Sequence, residues 1–220
     1  MLRIEHVSYR YQDAPTNALQ DICCNFVSGK MSTIIGPSGS GKTTLLSIMA
    51  GLDQPLEGSI YIDDENLNNL DLDRYRRERV SMIFQAFHLF PQLTALENVC
   101  FPMELNGATK QQATEHAKEL LRSVGIENEM LSRTPSHLSG GEQQRVAIAR
   151  ALASGAKILL ADEPTGNLDS VNSNMIMDIL TRLAHQEGFC IVVVTHNPSI
   201  SQASDVVYQM KDGELTMQLT

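Results

Sequence analysis

No hydrophobic run in this sequence is long enough to cross a membrane. The purely apolar stretches are short, as in IVVV at 191–194, against the ~20 residues that a bilayer demands. An apolar leader is missing too, because Arg3, Glu5 and His6 stand where a signal peptide would carry its hydrophobic segment. Together these absences predict a cytosolic chain with no span of its own. There is no basic excess: 17 Lys and Arg face 26 Asp and Glu, for a net charge of −9. That balance counts against a general nucleic-acid binder and predicts no nucleic-acid partner. CxxC spacing is absent from the four cysteines, Cys23, Cys24, Cys100 and Cys190, so reduced structural thiols are expected in place of a disulfide framework. With no internal repeat, low-complexity tract or long Pro/Gly linker, the 220 residues read as one core with a subdomain inserted. That length buries about 70% of the unfolded surface without staples. A composition of 42% hydrophobic and 20% charged residues excludes disorder and a coiled-coil rod.

Periodicity places the elements that are present. Residues 2–7 alternate apolar and polar and read as a half-buried strand. Residues 24–27 read as a strand, followed by a turn at Ser28-Gly29-Lys30, and residues 33–35 as a short buried strand ending at Gly36. The run KTTLLSIMA at 42–50 is helical and stops at Gly51; residues 59–62 form another strand, ended by Asp63 and Asp64. Thr109 followed by Gln112 is a capping box, opening a helix with Ala113, Ala117, Leu120, Leu121 and Val124 on its apolar side, stopped by Gly125. A second helix is expected over 142–153 and a third over 174–186, with strands at 157–161 and 191–194. Strand–helix alternation with fully apolar strands indicates a parallel sheet covered on both faces, and the helical middle reads as an insertion.

The chemistry-bearing signal is GPSGSGKTT at 36–44, which satisfies G-x-x-x-x-G-K-[ST] and lies between a strand and a helix. Gly36, Pro37, Ser38, Gly39, Ser40 and Gly41 form a loop whose amides can curl around phosphate oxygens at a helix N-terminus. Lys42 adds a full positive charge, the Thr43 hydroxyl can ligate Mg2+, and Thr44 completes the run. The strand ending in Asp162 and Glu163 delivers two carboxylates at the edge of the sheet where ligands bind. Asp162 suits the metal; Glu163, pointing elsewhere, suits polarisation of an attacking water. These elements alone indicate a Mg-nucleotide phosphate-binding ATPase or kinase.

The run LSGGEQ, with Ser139, Gly140 and Gly141, places another serine hydroxyl and glycine amides at a helix start, 97 residues after Lys42. It resembles the signature of the ATP-binding cassette (ABC) superfamily. The resemblance covers about residues 2–215, with every motif in the family's order and no departure at a catalytic position. It implies a P-loop NTPase (RecA-like) α/β core with a mostly parallel sheet, an N-terminal antiparallel β subdomain and an inserted α-helical signature subdomain. As domains, it implies a nucleotide-binding core at 1–85 and 157–220 and a helical unit at about 86–156. It further implies a homodimer that sandwiches two ATP with Mg2+, Ser139, Gly140 and Gly141 completing the pocket of the opposite protomer. Tyr11, or its neighbour Tyr9, matches the ring that stacks on adenine. Gln85 matches the glutamine that touches Mg2+ and lytic water, and Asp169 the loop linking the protomers. His196 matches the histidine on the γ-phosphate.

Residues 84–99 and 161–169 are similar to one branch in particular. That branch comprises the lipoprotein-releasing and macrolide-exporter ATPases, with peptide exporters and a cell-division ATPase beside them. It implies an integral membrane permease subunit docking near residues 85–93 and a peripheral position on the inner face of the cell membrane. Phe87, Leu89, Phe90 and Leu93 either line that docking groove or belong to the core of the helical subdomain. Alternatives within the superfamily are a regulatory cell-division-type ATPase acting without transport, and a soluble assembly-factor ATPase. A chromosome-organising ATPase of the SMC type would need a long coiled coil where this chain has 97 residues, and a small-molecule kinase gives no reason for LSGGEQ or His196.

Overall fold

The computed structural model describes residues 1–218, the side chain of Ser199 excepted. Strands β1 (Leu2–Tyr9), β2 (Leu19–Phe26), β4 (Glu57–Ile62) and β5 (Glu65–Asn66) form an antiparallel sheet in the order β2-β1-β4-β5. Strands β3 (Met31–Ile35), β6 (Val80–Phe84), β7 (Ile158–Asp162), β8 (Cys190–Thr195), β9 (Val206–Lys211) and β10 (Glu214–Gln218) form the larger sheet, ordered β10-β9-β3-β8-β7-β6. That sheet is parallel from β9 to β6 and gains an antiparallel edge from the β9–β10 hairpin. Asp212 and Gly213 both take positive φ, as a two-residue hairpin turn of matching twist requires.

The central strands show why continuous apolar runs mean burial on both faces. Along β8, Cys190, Val192 and Val194 pack toward one core while Ile191 and Val193 pack toward another. The first core joins the two sheets with α1 (Lys42–Met49) and α2 (Leu72–Glu78), through Leu45, Leu46, Ile48 and Tyr75. The second sits under α5 (Gly140–Leu152) and α6 (Ser170–Glu187), and extends through α3 (Ala95–Leu105) and α4 (Lys110–Ser123). In the chain, α3, α4 and α5 all lie between β6 and β7, which pair directly with each other.

The capping box at Thr109 and Gln112 opens α4 as expected. Two other helices begin earlier than their apolar pattern: α5 at Gly140 instead of 142, and α6 at Ser170 instead of 174. Each start is set by a polar cap, Ser139 with Glu142 in one and Asp169 in the other. All four cysteines are free, and all but Cys23 are buried. Among the described residues no helix is long and apolar enough to cross a membrane.

Candidate functional site

The loop between β3 and α1 is held by two backbone approaches that admit only glycine. A Cβ on Gly36 would lie 2.2 Å from the Met210 carbonyl oxygen, and one on Gly41 would lie 2.5 Å from the Ala18 carbonyl oxygen. Gly41 also sits at φ 107, a conformation L-residues rarely adopt. α1 therefore starts from a glycine with no side-chain cap, leaving the amides of its first turn open to an outside acceptor. Pro37, Ser38 and Gly39 are exposed at the tip, and Ser40 is buried with no hydrogen-bond partner for its hydroxyl oxygen.

This loop forms one wall of a cavity of about 410 Å³, lined by Ser38, Gly39, Gly41, Lys42, Thr43 and Thr44. The opposite wall is Gln85, Asp162, Glu163 and His196, the ends of β6, β7 and β8. Lys42 Nζ donates to the carbonyl oxygens of Gly36 at 2.8 Å and Pro37 at 2.9 Å. An ammonium has three N–H groups, so one remains for the cavity. Burial pushes the Lys42 pKa down, and the charges of Glu163 and Asp162 partly offset that. Asp162 moves the other way: burial raises its pKa, the Thr43 hydrogen bond lowers it, the Glu163 charge raises it and the Lys42 charge lowers it.

Thr43 Oγ1 lies 3.4 Å from Asp162 Oδ1. A hydroxyl and a carboxylate converging from two elements are hard oxygen donors of the kind Mg2+ takes, and the open amides of the loop with the remaining Lys42 donor suit a bound phosphate. The residues present therefore fit a magnesium–nucleotide pair.

Glu163 sits at φ 47, left-handed for a residue with a side chain, a strain that folds retain where the surroundings over-determine it. The surroundings here are specific. Its Oε1 accepts from the His196 backbone N–H at 2.9 Å and faces His196 Nδ1 at 2.7 Å, while its Oε2 accepts from Thr195 Oγ1 at 2.9 Å. The carboxylate is 15% exposed and the imidazole 65%. A carboxylate beside Nδ1 calls for the proton there, so Nε2 donates to a phosphate only in the imidazolium form.

Two participants escaped the sequence reading. Asn167 clasps Gln85 from both ends, accepting from Gln85 Nε2 at 3.1 Å and donating to the Gln85 carbonyl oxygen at 3.0 Å. Thr195 anchors the second oxygen of Glu163. Neighbouring motifs were the only signal for either: Asn167 stands two residues before Asp169, and Thr195 directly precedes His196.

Eight sequence-derived residues do not line this cavity: Gly36, Pro37 and Ser40 within the loop itself, and five others. Tyr11 is 49% exposed, its ring edge-on to Tyr9 and its hydroxyl 2.8 Å from Thr44 Oγ1. Ser139, Gly140, Gly141 and Asp169 gather elsewhere, where the starts of α5 and α6 meet. A Cβ on Gly141 would lie 2.1 Å from Asn172 Oδ1, and Asn172 is bonded to Asp169. Ser139 Oγ accepts from the Glu142 N–H at 3.3 Å, while a Glu142 carboxylate oxygen accepts from the Ser139 N–H at 2.6 Å.

Beyond Gln85 the chain turns through Phe87 and His88, both at positive φ. Arg150 on α5 donates to both of their carbonyl oxygens, at 3.1 and 2.6 Å. Buried Asn98 on α3 fixes the next stretch, donating to the carbonyl oxygens of Phe90, Leu93 and Thr94 and accepting from the Phe90 N–H. Beside this turn lies a groove of about 450 Å³ whose walls include Phe84, Phe90, Phe101 and Leu105, with Arg76 and Arg77 among its basic groups. Of the four apolar residues singled out in the sequence, Phe90 lines the groove. Leu89 packs against the core, Phe87 lies beside Gly140, and Leu93 is half-buried away from the groove.

Comparison with known proteins gives a family match described as "ABC transporter" over residues 19–166. The chain is 43% identical to a lipoprotein-releasing system ATP-binding protein, LolD, of Shewanella frigidimarina, over 98% of this chain and 92% of that protein. It is 41% identical to the macrolide export ATP-binding/permease protein MacB of Rhodopirellula baltica, over 93% of this chain but 31% of that longer one. Among solved structures, the dimeric post-hydrolysis state of the cassette MJ0796 of Methanocaldococcus jannaschii, bound to ADP and Pi, is 39% identical. It superposes at a TM-score of 0.90 over 99% of this chain and 98% of that one.

Proposed function

This chain belongs to the ABC transporter family, and from that premise we propose that it binds and hydrolyses ATP as one half of a homodimer that drives a separate membrane subunit. The observation that carries the reading is the convergence of Lys42, Thr43, Asp162, Glu163 and His196 on one cavity, with Glu163 held in a strained backbone conformation by three hydrogen-bonded contacts. In this reading the amides of residues 36–44 and the free donor of Lys42 bind the phosphates. Thr43, Asp162 and Gln85 hold Mg2+, which supplies charge neutralisation at the phosphate oxygens when bound. Glu163 takes a proton from the attacking water, and Thr195 and His196 fix its two oxygens so that one lone pair stays aimed into the cavity. Tyr11 stacks on adenine by swinging from its Thr44 contact.

Ser139, Gly140 and Gly141 act on the nucleotide of the second copy, with Asp169 beside them. Their separation from the cavity supports this, as does the dimeric state named for the MJ0796 cassette. The Ser139 hydroxyl accepts in its own cap and keeps its O–H for an outside anion. Residues 1–85 and 157–220, of which 219 and 220 lie outside the described residues, form the nucleotide-binding core in this reading, and residues 86–156 the helical unit that carries the signature. The partner is an integral membrane subunit of the lipoprotein-release or macrolide-export kind, and the chain works at the inner face of the membrane. The names of the LolD and MacB relatives support that assignment, as does the phenylalanine-lined, arginine-flanked groove beside residues 85–93.

Glu163→Gln tests the reading. ATP turnover falls by about 100-fold or more, while ATP and Mg2+ convert the variant from monomer to a stable dimer in size-exclusion chromatography. A variant that keeps parental turnover removes Glu163 from the role of base.

A further inference from the structure

Strands β1 and β2 each carry one extra residue, and the two irregularities lie side by side. Between the pairs Ile4↔Cys24 and Val7↔Ile22, β1 has one residue more than β2; between Val7↔Ile22 and Tyr9↔Leu19, β2 has one more than β1. The other neighbour of β1 sees the first bulge as well, since Glu5 pairs with Ser59 and Ser8 with Glu57. Gly58 lies between them, and a Cβ there would fall 2.3 Å from the His6 carbonyl oxygen.

An inserted residue reverses the inside–outside alternation of a strand. Without the bulge His6 would share the core face with Ile4, and Asp21 would share it with Leu19. With the bulges, Ile4, Val7, Leu19 and Ile22 are buried while His6 and Asp21 are turned outward, next to exposed Cys23. Both turned residues take positive φ, 52° at His6 and 49° at Asp21. His6 Nδ1 then lies 2.8 Å from Asp21 Oδ1 and 3.6 Å from Cys23 Sγ, and the three ligand atoms sit within 4.8 Å of one another. The His6 backbone N–H, freed from the ladder, donates to the same sulfur at 3.2 Å.

Two chemistries use a thiol, an imidazole and a carboxylate. A nucleophile relay places thiol and carboxylate on opposite ring nitrogens, so that a proton passes across the imidazole. Here both address Nδ1, which is the arrangement of a chelate. We propose that His6, Asp21 and Cys23 bind a divalent transition-metal ion, zinc being the ion whose preferences match imidazole nitrogen, carboxylate oxygen and thiolate sulfur together.

Bond lengths support the match. Tetrahedral zinc sets N···S at roughly 3.6 Å and N···O at roughly 3.4 Å. The first is the separation observed. The second needs Nδ1 and Oδ1 to part by about half an ångström as the proton between them moves to Nε2, and the thiol releases its proton to solvent. Three ligands leave a fourth position for water or an outside donor. None of the three residues lines the nucleotide cavity, so this site is separate from the magnesium position.

The test is calorimetric titration of zinc into the nucleotide-free full chain, in two buffers of different ionisation enthalpy, with a parallel cobalt titration followed by absorption. One equivalent of zinc is expected, with a buffer-dependent heat from the released thiol proton and a thiolate-to-cobalt charge-transfer band. Cys23→Ser removes the band and weakens zinc on the order of tenfold or more. His6→Asn and Asp21→Asn, chosen because asparagine tolerates the left-handed backbone, weaken zinc to a similar extent. Circular dichroism checks that each variant is folded. Undiminished zinc affinity in Cys23→Ser, a cobalt complex without the thiolate band, or loss of affinity in Cys23→Ser alone would each overturn the three-ligand site.

Discussion

Two helices of this chain begin in glycine- and serine-rich turns, and their beginnings are opposites. α1 starts from Gly41 with no side-chain cap, facing a cavity that also holds a lysine, two carboxylates and a histidine. α5 starts from Ser139, closed by a reciprocal capping box with Glu142, and faces none of those groups. An uncapped helix end depends on an outside acceptor; a self-capped one is stable alone and can offer an extra donor. In the proposed reading the first region is a nearly whole site within one chain, and the second a half-site that acts on the nucleotide of another copy.

The largest effect expected from that asymmetry is with Ser139→Arg. Turnover falls by about 100-fold or more, because the long cation blocks closure of two copies, while a fluorescent ATP analogue still binds the single chain at parental affinity. Normal hydrolysis by this variant would make the two regions independent and sink the shared-site reading. Next in size is a pair of glycine substitutions compared by thermal unfolding. Gly41→Ala costs on the order of 2 kcal/mol, since its positive φ and the fixed Ala18 carbonyl leave no room. Gly141→Ala costs about 1 kcal/mol, because its obstacle is the tip of Asn172, which can rotate away by giving up the 2.7 Å bond to Asp169. Equal shifts in Tm would erase the distinction between a rigid cradle and an adjustable one.

The smallest effect sharpens the electrostatics of the first region. Burial is the main cause that raises the Asp162 pKa, so the folded chain holds that proton more tightly than the unfolded chain does. The ionised carboxylate therefore costs stability above its folded pKa, and the cost fades as pH falls through that value. Asp162→Asn is expected to raise the Tm of the nucleotide-free protein slightly near neutral pH. The gain shrinks to nothing on acidification. A Tm gain that persists or grows in acid would show that desolvation is not what the asparagine relieves.

What could be read directly from the residues was what lies contiguously along the chain. The phosphate loop, the Asp162–Glu163 pair and the capping box at Thr109 are each decided by neighbours within a few positions. The β8 strand was legible because four consecutive branched residues have one comfortable environment. Helix starts were read late at Ser170 and Gly140 because a polar first turn carries no apolar period, and only the cap marks it. The Asn167–Gln85 clasp joins positions 82 apart, which no local pattern records. The bulges at His6 and Asp21 depend on the register of two strands against each other. Tyr11 shows the same limit from another side, since its place in the sequence does not say that its hydroxyl rests on Thr44.

The Arg150 contacts give α5 a mechanical character. Ser139 caps its first turn, and Arg150, whose backbone lies some 16 Å further along the axis, grips the Phe87 and His88 carbonyls beside the apolar groove. A hydrogen-bonded helix of three to four turns scarcely compresses along its axis. α5 is in effect a connecting rod, held near its far end by Arg150 on the turn that leaves Gln85 and flanked at its start by the Phe87 ring of that turn, so that a push on the turn bears on the whole helix and its Ser139 cap.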